Sequence, residues 1–243
     1  MKQNKYDDPV FFEKYGKMER SQKGLDGAGE WKTLEKMLPD FVGKRVLDLG
    51  CGYGWHCRYA LEHGAAQVVG VDISQRMLEA AQSKSDGRIT YRCLPMEDIA
   101  FPGNAFDVVI SSLALHYVPS FEAIAGKVYA LLSPGGDFVF SVEHPIFTAQ
   151  GGQEFIRDSE GKPLHFPVDR YFMQGQRDTS FLGEKVIKYH RTLEAYAGGL
   201  ISCGFAITGL AEPMPPEHLL DTVPGMRDEL RRPMMLILSA QKR

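Results

Sequence analysis

Apolar and polar positions alternate in two different ways along the middle of the chain. Short apolar runs of strand length, such as VVISS within 105–115, are separated by segments in which apolar residues recur with the period of a helix. Continuous apolar runs are typical of strands that are buried on both faces. The alternation therefore predicts a parallel sheet that helices cover on both sides. Strands are predicted at 45–49, 67–72, 88–93, within 105–115 and at 137–142, and helices at 54–63, 75–84 and 121–132.

The pattern changes after the fifth predicted strand. Segment 143–184 is rich in proline, glycine, aromatic and charged residues, and it is too long for an ordinary connection, so we predict a functional insertion. Regular patterning then resumes with a short strand at 185–190, a helix at 192–204 and strands at 205–212 and 234–241. We therefore expect a single domain of the α/β class, with a doubly wound, seven-stranded, mostly parallel sheet whose last strand runs antiparallel.

Composition and charge narrow the possible function classes. The chain has 243 residues, of which 44% are hydrophobic and 24% charged, and its formal net charge is -3. A protein that neutralises nucleic acid needs a basic face, so we expect no nucleic-acid partner. The first ten residues lack the apolar core of a signal peptide, and the longest late apolar run is far shorter than a membrane span, so we expect a cytoplasmic protein without a membrane partner. Four scattered cysteines without a C-x-x-C pair predict neither a metal site nor a disulfide framework.

A glycine-rich loop in the segment RVLDLGCGYGWH joins the first predicted strand to the first helix. Gly50, Gly52 and Gly54 allow positive φ and close approach of the backbone to a ligand, and such loops lie at the carboxyl edge of the sheet, where ligands bind. The spacing departs from the dinucleotide pattern G-x-G-x-x-G, because Trp55 stands in place of the last glycine, and no G-K-[ST] phosphate loop is present. Asp72 ends the second predicted strand, where a carboxylate can accept both hydroxyls of a ribose. We therefore predict a nucleotide-like ligand without phosphates.

Four motifs in the first part of the chain resemble those of the class I S-adenosylmethionine-dependent methyltransferases. VLDLGCGYG is similar to that family's D-x-G-x-G-x-G loop, and VVGVDIS to the strand that ends in its ribose-binding acid. FDVVISSLALHYV resembles its fourth strand, and LLSPGGDFVFSV its fifth strand with the preceding turn. The order and spacing of all four agree over 42–142. The small-molecule members of the type that includes the ubiquinone and menaquinone C-methyltransferases are the most similar in pattern.

The resemblance implies a Rossmann-like fold, S-adenosyl-L-methionine as the cofactor, and transfer of its methyl group to a small organic acceptor by direct displacement. Under this interpretation residues 1–40 form an amino-terminal lid, 41–142 the cofactor-binding core, 143–184 an insertion over the acceptor site, and 185–243 the remaining part of the sheet. The resemblance leaves open whether carbon, oxygen or nitrogen is methylated, and it fixes no oligomeric state.

The resemblance also implies how the methionine end of the cofactor is held. Asp48 would fix the glycine loop and approach the amino group, although an acid before a helix is also favoured by the helix dipole alone. Arg20, in the lid, would form a charge-assisted pair with the carboxylate. Ser112 and Leu113, after the fourth strand, would line the sulfonium side, unless the serine merely satisfies local backbone groups.

The adenine is expected at the turn after the third strand, where Met96 would cover the ring. Many relatives carry an acid one residue earlier, and this chain has Pro95 there, so Glu97 or Asp98 would take the exocyclic amine instead. The complete expected set of cofactor-binding residues is Asp48, Gly50, Gly52, Gly54, Asp72, Ile73, Met96, Glu97, Ser112, Leu113 and Arg20.

Three residues are candidates for catalysis, although a base is needed only if the acceptor must lose a proton. His116 follows the fourth strand, where relatives often use a histidine to anchor the local turn instead. Glu143 and His144 follow the fifth strand at the carboxyl edge of the sheet, where ligand sites lie. His190 and Arg191 are interpreted as part of a solvated turn, with binding of an anionic acceptor as the alternative.

Two other functions are compatible with parts of the pattern. A module that binds S-adenosylmethionine or its demethylated product without catalysis would share the same motifs, because a fold does not establish chemistry. A nicotinamide-dependent oxidoreductase is supported only by the strand, the glycine loop and Asp72, and the misplaced last glycine argues against it.

Overall fold

The computed structural model describes residues 3–243. Three helices come first, α1 (Pro9–Gly16), α2 (Glu19–Gln22) and α3 (Trp31–Met37). The alternating part follows as β1 (Arg45–Leu49), α4 (Trp55–Glu62), β2 (Gln67–Asp72), α5 (Gln75–Ser83), β3 (Ile89–Cys93), β4 (Phe106–Ser112), α6 (Phe121–Leu131) and β5 (Leu132–Glu143). Next come α7 (Pro145–Thr148), β6 (Ile156–Arg157), β7 (Pro163–His165), β8 (Gly175–Phe181) and β9 (Glu184–His190). The last elements are α8 (Leu193–Ser202), β10 (Phe205–Ala211) and β11 (Met235–Lys242).

The main sheet has seven strands in the order β10-β11-β5-β4-β1-β2-β3. Strands β1 to β5 pair in parallel, whereas β11 is antiparallel to both of its neighbours, β5 and β10. The predicted doubly wound sheet with an antiparallel last strand is thereby confirmed. Because the strand order reverses between β1 and β4, a crevice opens at their carboxyl ends, which is where such folds bind ligands.

Two layers of helices cover the sheet. On one face α6 and α8 pack over the strands, with Phe121 and Tyr196 fully buried beside Phe140 of β5. On the other face α4 and α5 pack over β1 and β2, with Cys57 and Leu78 in the core. This arrangement explains the apolar character of the central strands, since both of their faces are excluded from water.

Ser74 starts α5 in the way the sequence predicts. Its hydroxyl accepts a hydrogen bond from the backbone N–H of Met77 at 3.1 Å, which satisfies one of the free amides in the first helical turn. The cap fixes the chain direction immediately after β2. It therefore also fixes the carboxylate of Asp72, which lies two residues earlier at the crevice.

One boundary of the predicted pattern is wrong, and one correctly predicted strand has a partner that the sequence did not indicate. The fifth strand was expected from 137, but β5 already begins at Leu132, because the backbone continues to pair with Phe106 across an irregular register through the run SPGG. The predicted strand at 185–190 exists as β9, but it pairs with β8 in a separate two-stranded sheet. The sequence showed no partner for β9, because β8 lies within segment 143–184, which was predicted as a functional insertion.

The amino-terminal segment lies across the carboxyl edge of the main sheet. The Asp7 carboxylate accepts hydrogen bonds from the Ser74 hydroxyl at 2.6 Å and from the Arg76 amide at 3.1 Å. The side-chain amide of Gln3 exchanges two hydrogen bonds with the backbone of Ile187 in β9. The segment therefore connects the turn after β2 with the β8–β9 hairpin. No helix within 3–243 is long and apolar enough to cross a membrane.

Replacing Phe140 with Ala should lower the free energy of unfolding by about 3–5 kcal/mol, because the ring is fully buried between α6 and α8 and truncation leaves a cavity. The matched control is Phe172→Ala, whose ring is 86% exposed and whose loss should change stability by less than about 0.5 kcal/mol. Urea unfolding followed by circular dichroism measures both. Equal destabilisation by the two substitutions would contradict the assigned packing.

Candidate active site

A cavity of about 590 Å³ lies at the carboxyl ends of the central strands. The glycine loop and the ends of β2 and β4 form its floor, and the amino-terminal segment and β9 form its walls. Most of the expected cofactor-binding residues meet in it. Those that line the cavity are Arg20, Gly50, Gly52, Asp72, Ile73, Met96, Glu97, Ser112 and Leu113.

The glycines of the loop have two different reasons to be glycine. A Cβ atom on Gly50 would lie 2.4 Å from the Cβ atom of Ala114, and one on Gly54 would lie 2.3 Å from the Tyr91 hydroxyl. These two positions are excluded for larger residues by packing, and both have positive φ. Gly52 also has positive φ, but nothing lies within 4 Å of its missing Cβ atom, so a side chain there would enter the cavity that Gly52 lines.

Asp72 connects the glycine loop to the turn after β2. One carboxylate oxygen accepts the Gly52 amide at 2.9 Å, and the other accepts the Ser74 amide at 2.8 Å. Burial raises the pKa of Asp72 above its ordinary value, while these two amides oppose the rise. Each oxygen has a second lone pair, so the group can still accept hydroxyl donors from the cavity side.

Asp48 lies behind the glycine loop and is not part of the cavity lining. It is 1% exposed, and one of its oxygens accepts a hydrogen bond from the Cys57 thiol at 3.3 Å. Burial raises its pKa to about 7. The other oxygen has no partner among the described residues. The side chain therefore supports the loop from below, and its approach to the amino group of a cofactor stays a prediction.

Arg20, from the amino-terminal segment, lines the cavity and has Glu30 as its partner. Its guanidinium donates to one oxygen of Glu30 at 2.6 Å. Glu30 is 1% exposed, and its second oxygen has no partner among residues 3–243. Burial alone would raise the pKa of Glu30, but the Arg20 charge lowers it below its ordinary value. The sequence pointed to Arg20 but not to Glu30, which the fold alone places beside it.

A second group of lining residues, called here the aromatic half, lies between the amino-terminal segment and the β8–β9 hairpin. The hydroxyls of Tyr6 and Tyr117 are 3.5 Å apart, close enough for one to donate to the other. Burial raises the pKa of both, so both remain protonated at neutral pH. The aromatic half comprises Tyr6, His116, Tyr117, Glu143, Phe181, Val186 and Tyr189.

His116 is buried in the floor of the aromatic half. Its Nδ1 atom accepts a hydrogen bond from the Glu143 amide at 3.4 Å. Burial lowers the pKa of His116 to about 4, so the ring is neutral at physiological pH. A neutral ring whose Nδ1 accepts a hydrogen bond carries its proton on Nε2.

Glu143 also lines the aromatic half, but its two oxygens are already occupied. The Lys188 ammonium donates to one oxygen at 2.5 Å and the Gln153 side-chain amide donates to the other at 2.9 Å. Burial alone would raise the pKa of Glu143, but the nearby charge of Lys188 contributes to lowering it below its ordinary value. The carboxylate is therefore held charged and paired.

Three further candidates lie outside the cavity lining. His144 accepts the Ile146 amide at 3.0 Å and contacts Glu212 at 2.8 Å through its other nitrogen, so it stabilises the start of α7. His190 is fully buried, and its two nitrogens contact the Thr148 hydroxyl and the Tyr171 carbonyl. Arg191 is 7% exposed. The interpretation of His190 and Arg191 as a solvated turn is wrong, because the β8–β9 hairpin folds them inward.

No group of three or more His, Cys, Asp or Glu side chains suited to a metal ion occurs among the residues that the structure describes.

Comparison with known proteins adds independent findings. The profile of a family described as a methyltransferase domain matches residues 47–140. The ubiquinone biosynthesis O-methyltransferase of Neisseria meningitidis serogroup A is 30% identical over 202 residues, which are 73% of this chain and 85% of that protein. An S-adenosylmethionine-dependent methyltransferase from Mesorhizobium loti is 44% identical, with a TM-score of 0.83 over 90% of this chain and 100% of that chain. A protein from Listeria monocytogenes assigned to the same class is 54% identical, with a TM-score of 0.86 over 90% of this chain and 99% of that chain.

Gly52→Val should abolish binding of S-adenosylhomocysteine while the protein stays folded, because the added side chain enters the cavity. Gly43→Val is the matched control, since Gly43 also has positive φ and open space around its missing Cβ atom but lies outside the cavity lining. Calorimetric titration measures binding, and thermal unfolding measures the strain that both substitutions share. Loss of binding in both variants, or in neither, would refute the contact assigned to Gly52.

Proposed function

The chain belongs to the class I S-adenosylmethionine-dependent methyltransferases, and from that premise we propose that it methylates a small organic acceptor by direct displacement. When bound, S-adenosylmethionine supplies a methyl group on a positively charged sulfur, which a nucleophile can displace without a metal or a covalent enzyme intermediate. The observation that carries the proposal is the single cavity that joins the glycine loop and Asp72 to the aromatic half. Neither the binding-only module nor the nicotinamide oxidoreductase gains support from the relatives.

The residues around the glycine loop fit this cofactor. The Asp72 carboxylate has free lone pairs for the ribose hydroxyls, and Met96 and Glu97 line the cavity where the adenine is expected. Asp48, which precedes the glycine loop, and Glu30, which is paired with Arg20, each have one buried oxygen without a partner among residues 3–243. Buried polar atoms are rarely left without a partner, so these two oxygens support a polar ligand or bound water in this region.

The size of the cavity supports a small acceptor. Its volume of about 590 Å³ lies within the range of ordinary small-molecule sites, and the cofactor takes part of that space. Gln3 and Ile187 both line the cavity and are hydrogen-bonded to each other, so the amino-terminal segment and β9 meet at it, which favours a small acceptor over a polymer. The name of the Neisseria relative, a ubiquinone biosynthesis O-methyltransferase, also favours a small-molecule acceptor.

Catalysis then rests mainly on alignment of the acceptor with the methyl group, because a displacement gains most from correct positioning. Of the three residues predicted as catalytic, His116 and Glu143 line the cavity. We assign the acceptor contact to His116, because both oxygens of Glu143 are engaged by Lys188 and Gln153. His144 has no contact with the cavity, and its position supports a structural role.

The acceptor class can be tested with tritium-labelled S-adenosylmethionine and a bacterial extract separated by ultrafiltration. We expect label to enter a product in the small-molecule fraction only. Transfer of label to protein or nucleic acid would refute the proposal, and so would the absence of label from every fraction. A matched reaction with Gly52→Val controls for transfer by other enzymes in the extract.

Arg20 is proposed to pair with the carboxylate of the cofactor. The variant Arg20→Gln with Glu30→Gln should bind S-adenosylhomocysteine about tenfold more weakly, through loss of a charge-assisted hydrogen bond, and bind methylthioadenosine, which lacks the amino-acid part, unchanged. The double variant avoids leaving the buried Glu30 carboxylate unpaired, and the control is Arg20→Lys, which keeps a positive charge beside Glu30 and should retain part of the affinity for S-adenosylhomocysteine. Equal weakening for both ligands, measured by calorimetry, would show that Arg20 only supports the fold.

Asp72 is proposed to hold the ribose, which both of these ligands contain. Asp72→Ala should therefore weaken binding of S-adenosylhomocysteine and of methylthioadenosine alike, by about 1–3 kcal/mol for hydrogen bonds to a charged acceptor. The same titrations measure this effect. An unchanged dissociation constant for methylthioadenosine would refute the ribose contact.

A further inference from the structure

The orientation of His116 decides what it can offer to an acceptor. Its Nδ1 atom is occupied by the Glu143 amide, whereas its Nε2 atom has no partner among residues 3–243 and belongs to a side chain that lines the cavity. The proton of the neutral ring therefore lies on Nε2. In this tautomer the ring presents an N–H donor to the cavity and no lone pair, so it is arranged to donate a hydrogen bond and not to remove a proton.

The tyrosine pair adds a second donor. Tyr6 and Tyr117 have their hydroxyls 3.5 Å apart, and the rings of His116 and Tyr117 are 4.5 Å apart between centroids. If one hydroxyl donates to the other, the proton of the second hydroxyl stays free. The aromatic half therefore places at least two neutral donors, the His116 Nε2–H and one tyrosine O–H, next to each other.

The fixed charges around these donors favour an anion. The Glu143 carboxylate is compensated by Lys188. The Arg191 guanidinium donates to the carbonyl oxygens of Leu115 and Val118, which flank His116 and Tyr117, and no acidic side chain of the described chain lies within 4.0 Å of it. Arg191 thus leaves one uncompensated positive charge beside the aromatic half, and it also holds the turn that carries His116 and Tyr117.

These contacts lead one step beyond the proposed function, on which the following inference rests. We propose that the aromatic half binds the methyl acceptor as an organic oxyanion, whose charged oxygen accepts hydrogen bonds from His116 Nε2–H and from the Tyr6–Tyr117 pair. Phe181, Val186 and Met235 line the same space and suit an apolar body attached to that oxygen. The acceptor class is thus a carboxylate, phenolate or enolate with an apolar body.

An acceptor that arrives as an anion removes the need for a base. Its electron pair forms the bond to the methyl carbon, the bond between carbon and sulfur breaks, and that pair remains on sulfur as a neutral thioether. The negative charge of the acceptor and the positive charge of the sulfonium cancel, so no proton is released. His116 acts here as a donor that orients the nucleophile, and Arg191 is a positioning residue that acts through the turn it holds.

The surroundings of His116 keep it in the neutral form. Glu143, from β5, would favour a charged ring, but Lys188 from β9, Arg191 after β9 and Arg20 from the lid all oppose it, and burial has the largest effect. Tyr117 contacts the ring face and carries no charge at neutral pH. The donor role is therefore available at neutral pH.

Three probes of similar shape and different charge test the inference on protein saturated with S-adenosylhomocysteine. They are para-nitrophenol, whose phenolate absorbs visible light, the neutral para-nitrobenzyl alcohol and the cationic para-nitrobenzylamine. We expect para-nitrophenol to bind as its phenolate and to ionise at lower pH when bound. The phenolate should bind at least about tenfold more tightly than either other probe, as hydrogen bonds to a charged group require.

Two substitutions separate the donor from the shape of the site. His116→Leu should lose most of the preference for the phenolate, whereas His116→Gln, which keeps an N–H donor, should retain part of it. Tyr117→Phe removes only a hydroxyl and should weaken phenolate binding while leaving the neutral alcohol unchanged. Affinity for S-adenosylhomocysteine, measured first in each variant, shows that the cofactor region is intact.

The outcomes distinguish failure of the oxyanion inference from failure of the proposed function. Equal or tighter binding of the alcohol or the amine would overturn the oxyanion inference and leave a small-molecule acceptor in place. Failure of all three probes to bind would overturn the oxyanion inference alone, because the proposed function is tested independently by transfer of label from S-adenosylmethionine. Nitrogen chemical shifts of the His116 ring give a test without any probe: a proton on Nδ1, or a charged ring at neutral pH, would overturn the inference directly.

Discussion

The two hydrogen bonds from backbone amides to the Asp72 carboxylate are the contact on which the rest of the site depends. They join the end of β2 to the glycine loop through Gly52 and to the start of α5 through Ser74. Because Ser74 also donates to Asp7, the same cluster sets where the amino-terminal segment can lie. One carboxylate therefore fixes the floor of the cavity and the wall that the amino-terminal segment forms. Any ligand that binds to this carboxylate meets a group that is already oriented.

The acceptor side is built on a different principle. Its charged side chains are paired or bound to carbonyl oxygens, and the other groups that line it are neutral donors and apolar surfaces. Desolvation strengthens such donors, because no water competes for them in a buried site. Under the proposed function the two regions of one cavity have different roles: carboxylates and an arginine would hold the polar cofactor, and oriented neutral groups would select the acceptor.

The sequence predicted the elements whose signals are local. The cap at Ser74, the strand at 45–49 and the glycine loop each depend on a few adjacent residues, and the structure has them where expected. Contacts between distant segments were not visible. The pairing of β8 with β9 and the placement of Glu30 beside Arg20 arise only when the chain folds. The burial of the His144 and His190 side chains likewise depends on how segment 143–184 packs. A turn pattern such as SPGG was misleading because strand pairing overrode local preference.

The amino-terminal segment has a thermodynamic consequence through its few attachments. It contributes Tyr6 and Arg20 to the cavity, and side chains such as Asp7 and Gln3 fasten it to Ser74 and β9. A ligand that contacts the docked segment must stabilise docking by the same free energy with which docking stabilises the ligand. Under the proposed arrangement the cofactor and the acceptor both contact this segment, so binding of one changes the affinity for the other. The enzyme would then show cooperativity between its two ligands within a single subunit.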